Sequence, residues 1–249
     1  MTAPALLTLA HGSRDARSAQ TVGAIHDLVR SLRPDLRIES AFLELSEPSH
    51  TTAFARLAAD GVEEVVVVPL LLTEAYHARV DVPSAVAAAA VQHPGLRVHT
   101  TPVLGARRSF LGVLDRRLRA ALASSRVREL DALVLAAAGS SDAIANAGVA
   151  RVARAWGAQH RLPVLTAFAS ATPPSTGEAV RAFRADGRRH IAVGSFFLAP
   201  GKLPDRAAEL AFEAGAVAVS QPLGADVEIA RTVLERYAVG AVDLVPLPG

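Results

Sequence analysis

Short runs rich in β-branched and aliphatic residues alternate along the chain with Ala- and Arg-rich stretches whose apolar positions follow helical spacing. Runs at Ala5–Ala10, Arg37–Leu43, Glu64–Leu72 and Leu96–Thr101 predict four strands. Those at Asp131–Ala138, Pro163–Phe168, His190–Leu198 and Ala216–Ser220 predict four more. Strand and helix in strict alternation point to an α/β fold, in which helices cover a parallel sheet. Helix starts are marked locally. Ser13 and Asp15 are placed to cap the helix that follows, and Pro48, Pro83, Pro174 and Pro204 suit a first helical turn, where a missing N–H costs nothing.

The pattern occurs twice. Ala10-His11-Gly12-Ser13-Arg14-Asp15 lies over Ala137-Ala138-Gly139-Ser140-Ser141-Asp142. Ala41-Phe42 with Pro48-Ser49 lies over Ala167-Phe168 with Pro174-Ser175, and Val65–Leu72 over Ile191–Leu198. Two similar lobes are therefore expected, each a four-stranded, mainly parallel sheet flanked by helices. A polar stretch near Ser124 to Arg128 joins them, giving lobes 1–125 and 126–249.

Composition narrows the function. At 249 residues there is room for two small domains. Lys plus Arg is 26 against 24 Asp plus Glu, and the basic residues are scattered arginines with Lys202 the single lysine, which is no nucleic-acid footprint. Cysteine is absent, so disulfides, thiolate metal sites and cysteine nucleophiles are excluded. Any metal must be held by His, Asp or Glu. Apolar runs such as Val65–Leu72 fall far short of a membrane span, and Met1–Ala10 lacks the basic and apolar segments of a signal, so a soluble cytoplasmic protein is expected.

In open parallel sheets, ligands bind beyond the carboxyl ends of the strands. In the first copy those positions hold His11, Glu44 and His77; in the second they hold Ala138, Ser170 and Leu203. One working site and one structural partner would look like this. Two imidazoles and a carboxylate suit an open, exchangeable site for Fe²⁺, Co²⁺, Ni²⁺ or Zn²⁺, and equally suit proton transfer. Other motifs fail. Gly201-Lys202 is not a phosphate-binding loop, because Phe196 and Leu203 stand where glycine and Ser or Thr are required, so no nucleotide is expected. Ala10 stands where a histidine phosphatase needs arginine before His11-Gly12, and no G-x-S-x-G elbow marks a hydrolase. His26, His50, His93, His99, His160 and His190 read as structural or solvent-exposed.

His11-Gly12-Ser13-Arg14-Asp15, Phe42-Leu43-Glu44-Leu45 with Glu47-Pro48-Ser49, and Pro69-Leu70-Leu71-Leu72 with Tyr76-His77-Ala78-Arg79-Val80-Asp81 together closely resemble the CbiX/SirB class of sirohydrochlorin chelatases. The resemblance covers the first copy almost end to end. It implies two α/β lobes and insertion of a divalent metal, Fe²⁺ for sirohaem or Co²⁺ for cobalamin, into a tetrapyrrole without nucleotide. It also implies that His11 and His77 bind the metal and that Glu44 is the active-site glutamate. The second copy departs from the pattern at all three places.

A polycarboxylate tetrapyrrole needs cationic and polar contacts. Ser13, Arg14 and Arg79 are the expected substrate contacts, with Arg107 and Arg108 nearby, since arginine pairs carboxylates in bidentate fashion. Backbone N–H groups at the helix starts after Gly12 and Gly139 would add to this, and Leu71, Leu72 and Phe197 would face the ring. A monomer is expected, because one fused chain supplies both lobes. Two other readings stay open on the residues: a non-catalytic carrier of metal or tetrapyrrole, and a structural module.

Overall fold

The computed structural model describes residues 3–74 and 77–244, and the side chains of these except His77 and Ala78. Two compact units divide the chain, one formed by residues 1–105 and 225–249 and the other by 106–224.

The first unit is built on strands β1 (Ala5–Ala10), β2 (Ile38–Phe42), β3 (Glu64–Pro69) and β4 (Arg97–Thr100), in the order β2-β1-β3-β4. Every pairing is parallel. All six residues of β1 are buried, as a central strand covered on both faces requires. Helices α1 (Ala16–Leu32), α2 (His50–Ala59) and α3 (Val82–Gln92) connect the strands. One core layer forms where Leu7, Leu9, Val65 and Val67 meet Phe54 and Leu57 of α2 and Val82 and Ala89 of α3. Burying such aliphatic side chains is worth about 1.5–3 kcal/mol each, so this layer is a main source of the unit's stability.

The second unit repeats the plan. Strands β5 (Ala132–Ala137), β6 (Val164–Phe168), β7 (Ile191–Ser195) and β8 (Ala218–Val219) run parallel in the order β6-β5-β7-β8. Helices α5 (Ala143–His160), α6 (Thr176–Ala185) and α7 (Lys202–Glu213) belong to it. The eight predicted strands are all present, trimmed by one to four residues except for β1, and both sheets are wholly parallel. Strand β3 stops at Pro69, although the Leu70 N–H still donates to the Leu9 carbonyl at 2.8 Å and the Leu71 carbonyl accepts from the Gly105 N–H at 3.1 Å.

The remaining two helices do not follow the linear repeat. Helix α4 (Leu111–Ser124) comes from the first copy yet packs on β7 and β8, and α8 (Val227–Asp243) comes from the second copy yet packs on β3, β4 and α1. A cut at 125/126 therefore separates the sequence repeats and the two sheets, while each compact unit takes its last helix from the other copy. Hydrogen bonds fix the exchange. The Tyr237 hydroxyl of α8 donates to the Pro4 carbonyl at 2.7 Å, and His99 of β4 pairs with Asp243 of α8 at 3.3 Å. On α4, the buried carboxylate of Asp115 accepts from Trp156 Nε1 and Gln159 Nε2, each at 2.8 Å, and meets His160 Nε2 at 2.8 Å. A buried carboxylate is tolerated only when its lone pairs are filled in this way.

Candidate metal-handling site

Strand β1 ends at Ala10 and the neighbouring β2 at Phe42, and their parallel pairing runs on into the loops. The Leu43 N–H donates to the Ala10 carbonyl at 2.9 Å, and the Glu44 N–H to the His11 carbonyl at 3.0 Å. This brings the side chains of His11 and Glu44 together, with Nε2 and Oε1 3.4 Å apart. Their side chains are 36% and 55% exposed, so water screens the pair and both groups are accessible to a ligand.

Gly12 makes the approach possible. Its φ is +98°, and a Cβ there would lie 1.7 Å from the Glu44 carbonyl oxygen. The second copy has the same crossing, with Gly139 at φ +86° against the Ser170 carbonyl. The Ser170 N–H again donates to the residue after the strand, Ala138, at 2.9 Å, and so does its hydroxyl. Backbone geometry is duplicated while the imidazole and carboxylate side chains are not.

Ser13 is held within this loop. Its N–H donates to Ser46 Oγ at 3.0 Å, Ser46 Oγ donates back to its carbonyl at 2.9 Å, and its own hydroxyl accepts from the Asp15 N–H at 3.1 Å. In the second copy Asn146 replaces Ser46, exchanging the same two bonds with Ser140. Asp15, not Ser13, caps α1, its carboxylate accepting from the Arg17 N–H at 3.0 Å, and Asp142 caps α5 from Ile144 and Ala145. At the helix starts after Gly12 and Gly139, carboxylates of the chain itself accept from backbone N–H groups. Ser49 and Ser175 cap α2 and α6, so Pro48 and Pro174 precede those helices instead of opening them.

His11 and Glu44 line a cavity of about 350 Å³ within the first unit, together with Leu43, His50, Asp81, Ser84, Ala85 and Ala88. His50 opens α2, and burial pulls its pKa below the ordinary imidazole value. Asp81 ends a single π-helical turn, His77–Asp81, and leads into α3. The side chain of His77 lies outside the described residues. Among the described residues, no three His, Asp or Glu side chains cluster as a metal site; the imidazole–carboxylate pair is what they bring together. Arg14 and Arg79 are exposed and are not in the cavity wall.

Arg107 and Arg108 belong to the second compact unit. One expectation is corrected. Phe197 is 7% exposed and packs in the core of the second unit, and Leu71 packs against the core of the first, so apolar contact inside the sheets outweighs exposure at the strand ends. Of the histidines read as structural or solvent-exposed, His160 meets buried Asp115 and His50 lines the cavity. The position of His50 one residue after a Ser N-cap was a readable signal that its ring sits at the carboxyl end of the sheet.

A duplicated parallel α/β fold thus carries, among the described residues, an imidazole–carboxylate pair at the strand ends of one copy, the place where open parallel sheets bind ligands. The family model CbiX matches residues 5–121 and 132–239, and the chain belongs to that family. It is 26% identical over 211 residues to the sirohydrochlorin cobaltochelatase of Priestia megaterium, covering 82% of this chain and 67% of that one. It is 34% identical over 94 residues to the sirohydrochlorin ferrochelatase of Bacillus subtilis, a match that spans 38% of this chain and about a third, 36%, of that protein. The structure of SirB from Bacillus subtilis with Fe³⁺ superposes with a TM-score of 0.80 at 25% identity, covering 97% of this chain and 96% of that one. A cobalt complex of SirB from subspecies spizizenii shares the fold, with a TM-score of 0.81 at 22% identity. Among the described residues no helix is long and apolar enough to cross a membrane.

Proposed function

We infer that this chain is a sirohydrochlorin chelatase that inserts a divalent metal, Fe²⁺ or Co²⁺, into the tetrapyrrole without nucleotide. The observation that carries the reading is the His11–Glu44 pair at the strand ends of one copy only, in a chain of the CbiX family. The metal is a substrate. His11 and His77 hold it, and Glu44 completes the ligation or takes up a proton. Two or three protein ligands leave coordination positions open, so the ion can exchange its remaining waters for pyrrole nitrogens. Ser13, Arg14 and Arg79 contact the substrate's carboxylates. The protein acts in the cytoplasm as a monomer, and a molar mass near twice 25.9 kDa would refute the monomer.

The test is anaerobic insertion of Fe²⁺ and Co²⁺ into sirohydrochlorin, followed by absorbance, with His11→Ala and His77→Ala beside the parent. Acceleration over the spontaneous reaction that disappears in both variants supports the reading, and the ratio of the two rates identifies the preferred metal. No acceleration by folded parent protein overturns it in favour of a carrier.

A further inference from the structure

The cavity that holds His11 and Glu44 has a second imidazole in its wall. His50 is the first residue of α2, anchored there because the Ser49 hydroxyl accepts from the Thr52 N–H at 3.2 Å. It belongs to α2, whereas His11 and Glu44 follow the ends of β1 and β2.

Insertion of a divalent cation breaks two pyrrole N–H bonds. Each nitrogen keeps its electron pair and gives it to the metal, no redox change occurs, and two protons must leave. A group engaged with a divalent cation is a poor proton acceptor, because the positive charge lowers its proton affinity. Those protons therefore need an acceptor that shares the cavity with the ion but does not bind it.

We propose that His50 is that acceptor, receiving pyrrole protons through cavity water while His11 and Glu44 hold the metal. The inference rests on the chelatase reading and assigns a further residue to the same site. A cavity of about 350 Å³ has room for roughly ten waters at about 30 Å³ each, enough for a hydrogen-bonded chain across it. A proton arriving at a ring nitrogen makes an imidazolium, which passes it to bulk solvent, and the second proton follows once the ring is neutral again.

The charged surroundings of His50 are few. His11, Glu44 and Asp81 share its cavity, and Glu47 lies just before it, with its carboxylate accepting from the Ser49 N–H at 2.8 Å. Of the elements packed on α2, helix α3 carries no charged residue, and on β2 Glu39 is engaged by Arg37. Burial, the cause of its lowered pKa, keeps the ring neutral at neutral pH, the form that can accept a proton. A lowered pKa also means that the acceptor form is lost only as pH falls below the ordinary imidazole range.

The experiment compares His50→Gln and His50→Ala with the parent in the full chain, measuring Co²⁺ binding by its visible absorption and insertion into sirohydrochlorin across pH. In His50→Gln we expect Co²⁺ affinity and the KM for metal within twofold of the parent, and kcat lowered about 100-fold with loss of its acidic limb. Added imidazole should restore part of the rate of His50→Ala. A His50→Gln kcat within twofold of the parent with an unchanged pH profile overturns the proposal, as does lost Co²⁺ affinity with kcat intact, which would make His50 an ion ligand. Failure of the chelatase reading is distinct, since the parent itself would then show no insertion.

Discussion

Glu44 is tied to His11 twice, by a backbone hydrogen bond of 3.0 Å and by a side-chain approach of 3.4 Å between Oε1 and Nε2. The first contact is a property of the sheet and is repeated between Ser170 and Ala138; the second exists in one copy only. Glu44→Gln keeps the backbone contact and removes the charge. Metal insertion should fall about 100-fold while thermal unfolding stays within a few degrees of the parent. An unchanged rate would remove Glu44 from the site.

The second copy should be catalytically silent. Ser170→Ala deletes an exposed hydroxyl that donates to the Ala138 carbonyl, a loss of about 1 kcal/mol or less. Turnover within twofold of the parent is the expected result. Lost turnover in this variant, with His11→Ala still active, would move the site to the second unit.

Gly12→Ala should be far more damaging than its size suggests. The added methyl would meet the Glu44 carbonyl, and the residue would be forced to φ +98°. Backbone strain and overpacking together should cost about 2–5 kcal/mol. Urea unfolding of Gly12→Ala checks this, and a loss below about 1 kcal/mol would show that the strand-end loop is free to shift.

Asp115 holds α4 on the second unit. Asp115→Ala leaves the Trp156 Nε1 donor buried without its acceptor and opens a gap beside Gln159 and His160. A destabilisation of about 3 kcal/mol is expected, read by denaturant titration with Trp156 as the fluorescent probe. A change under about 1 kcal/mol would mean that packing alone retains the helix.

The cap of α1 carries a pH dependence of defined sign. The Arg17 side chain, and then its backbone N–H, hold the Asp15 carboxyl below its ordinary value of 3.8. A folded-state pKa below the unfolded one contributes stability above pH 4 that is lost as pH falls through the folded value. In Asp15→Asn, acid unfolding should show a shallower pH dependence below pH 4. An unchanged acid profile would assign no role to this group.

Much of this was readable because the signals are local. The alternation of buried runs and helical stretches located every strand, since a strand covered on both faces is almost wholly apolar, as β5 is throughout and β1 is apart from Thr8. The internal repeat then exposed His11 and Glu44 by contrast with Ala138 and Ser170. The partner of His160 was not readable, because Asp115 lies on a helix from the other copy, far away in sequence.

The sequence by itself determined the two parallel sheets, their common design by repetition, and the residue types at the strand ends, because period, burial and turn chemistry act over a few residues. Only the tertiary structure decided which sheet each final helix covers. An amphipathic face such as Leu111, Val113, Leu114 and Leu118 must be buried, but its pattern does not distinguish between two sheets of the same design. Only the fold, likewise, seated His50 in the cavity of His11 and Glu44, because a cavity is a property of converging elements and leaves no period in the chain.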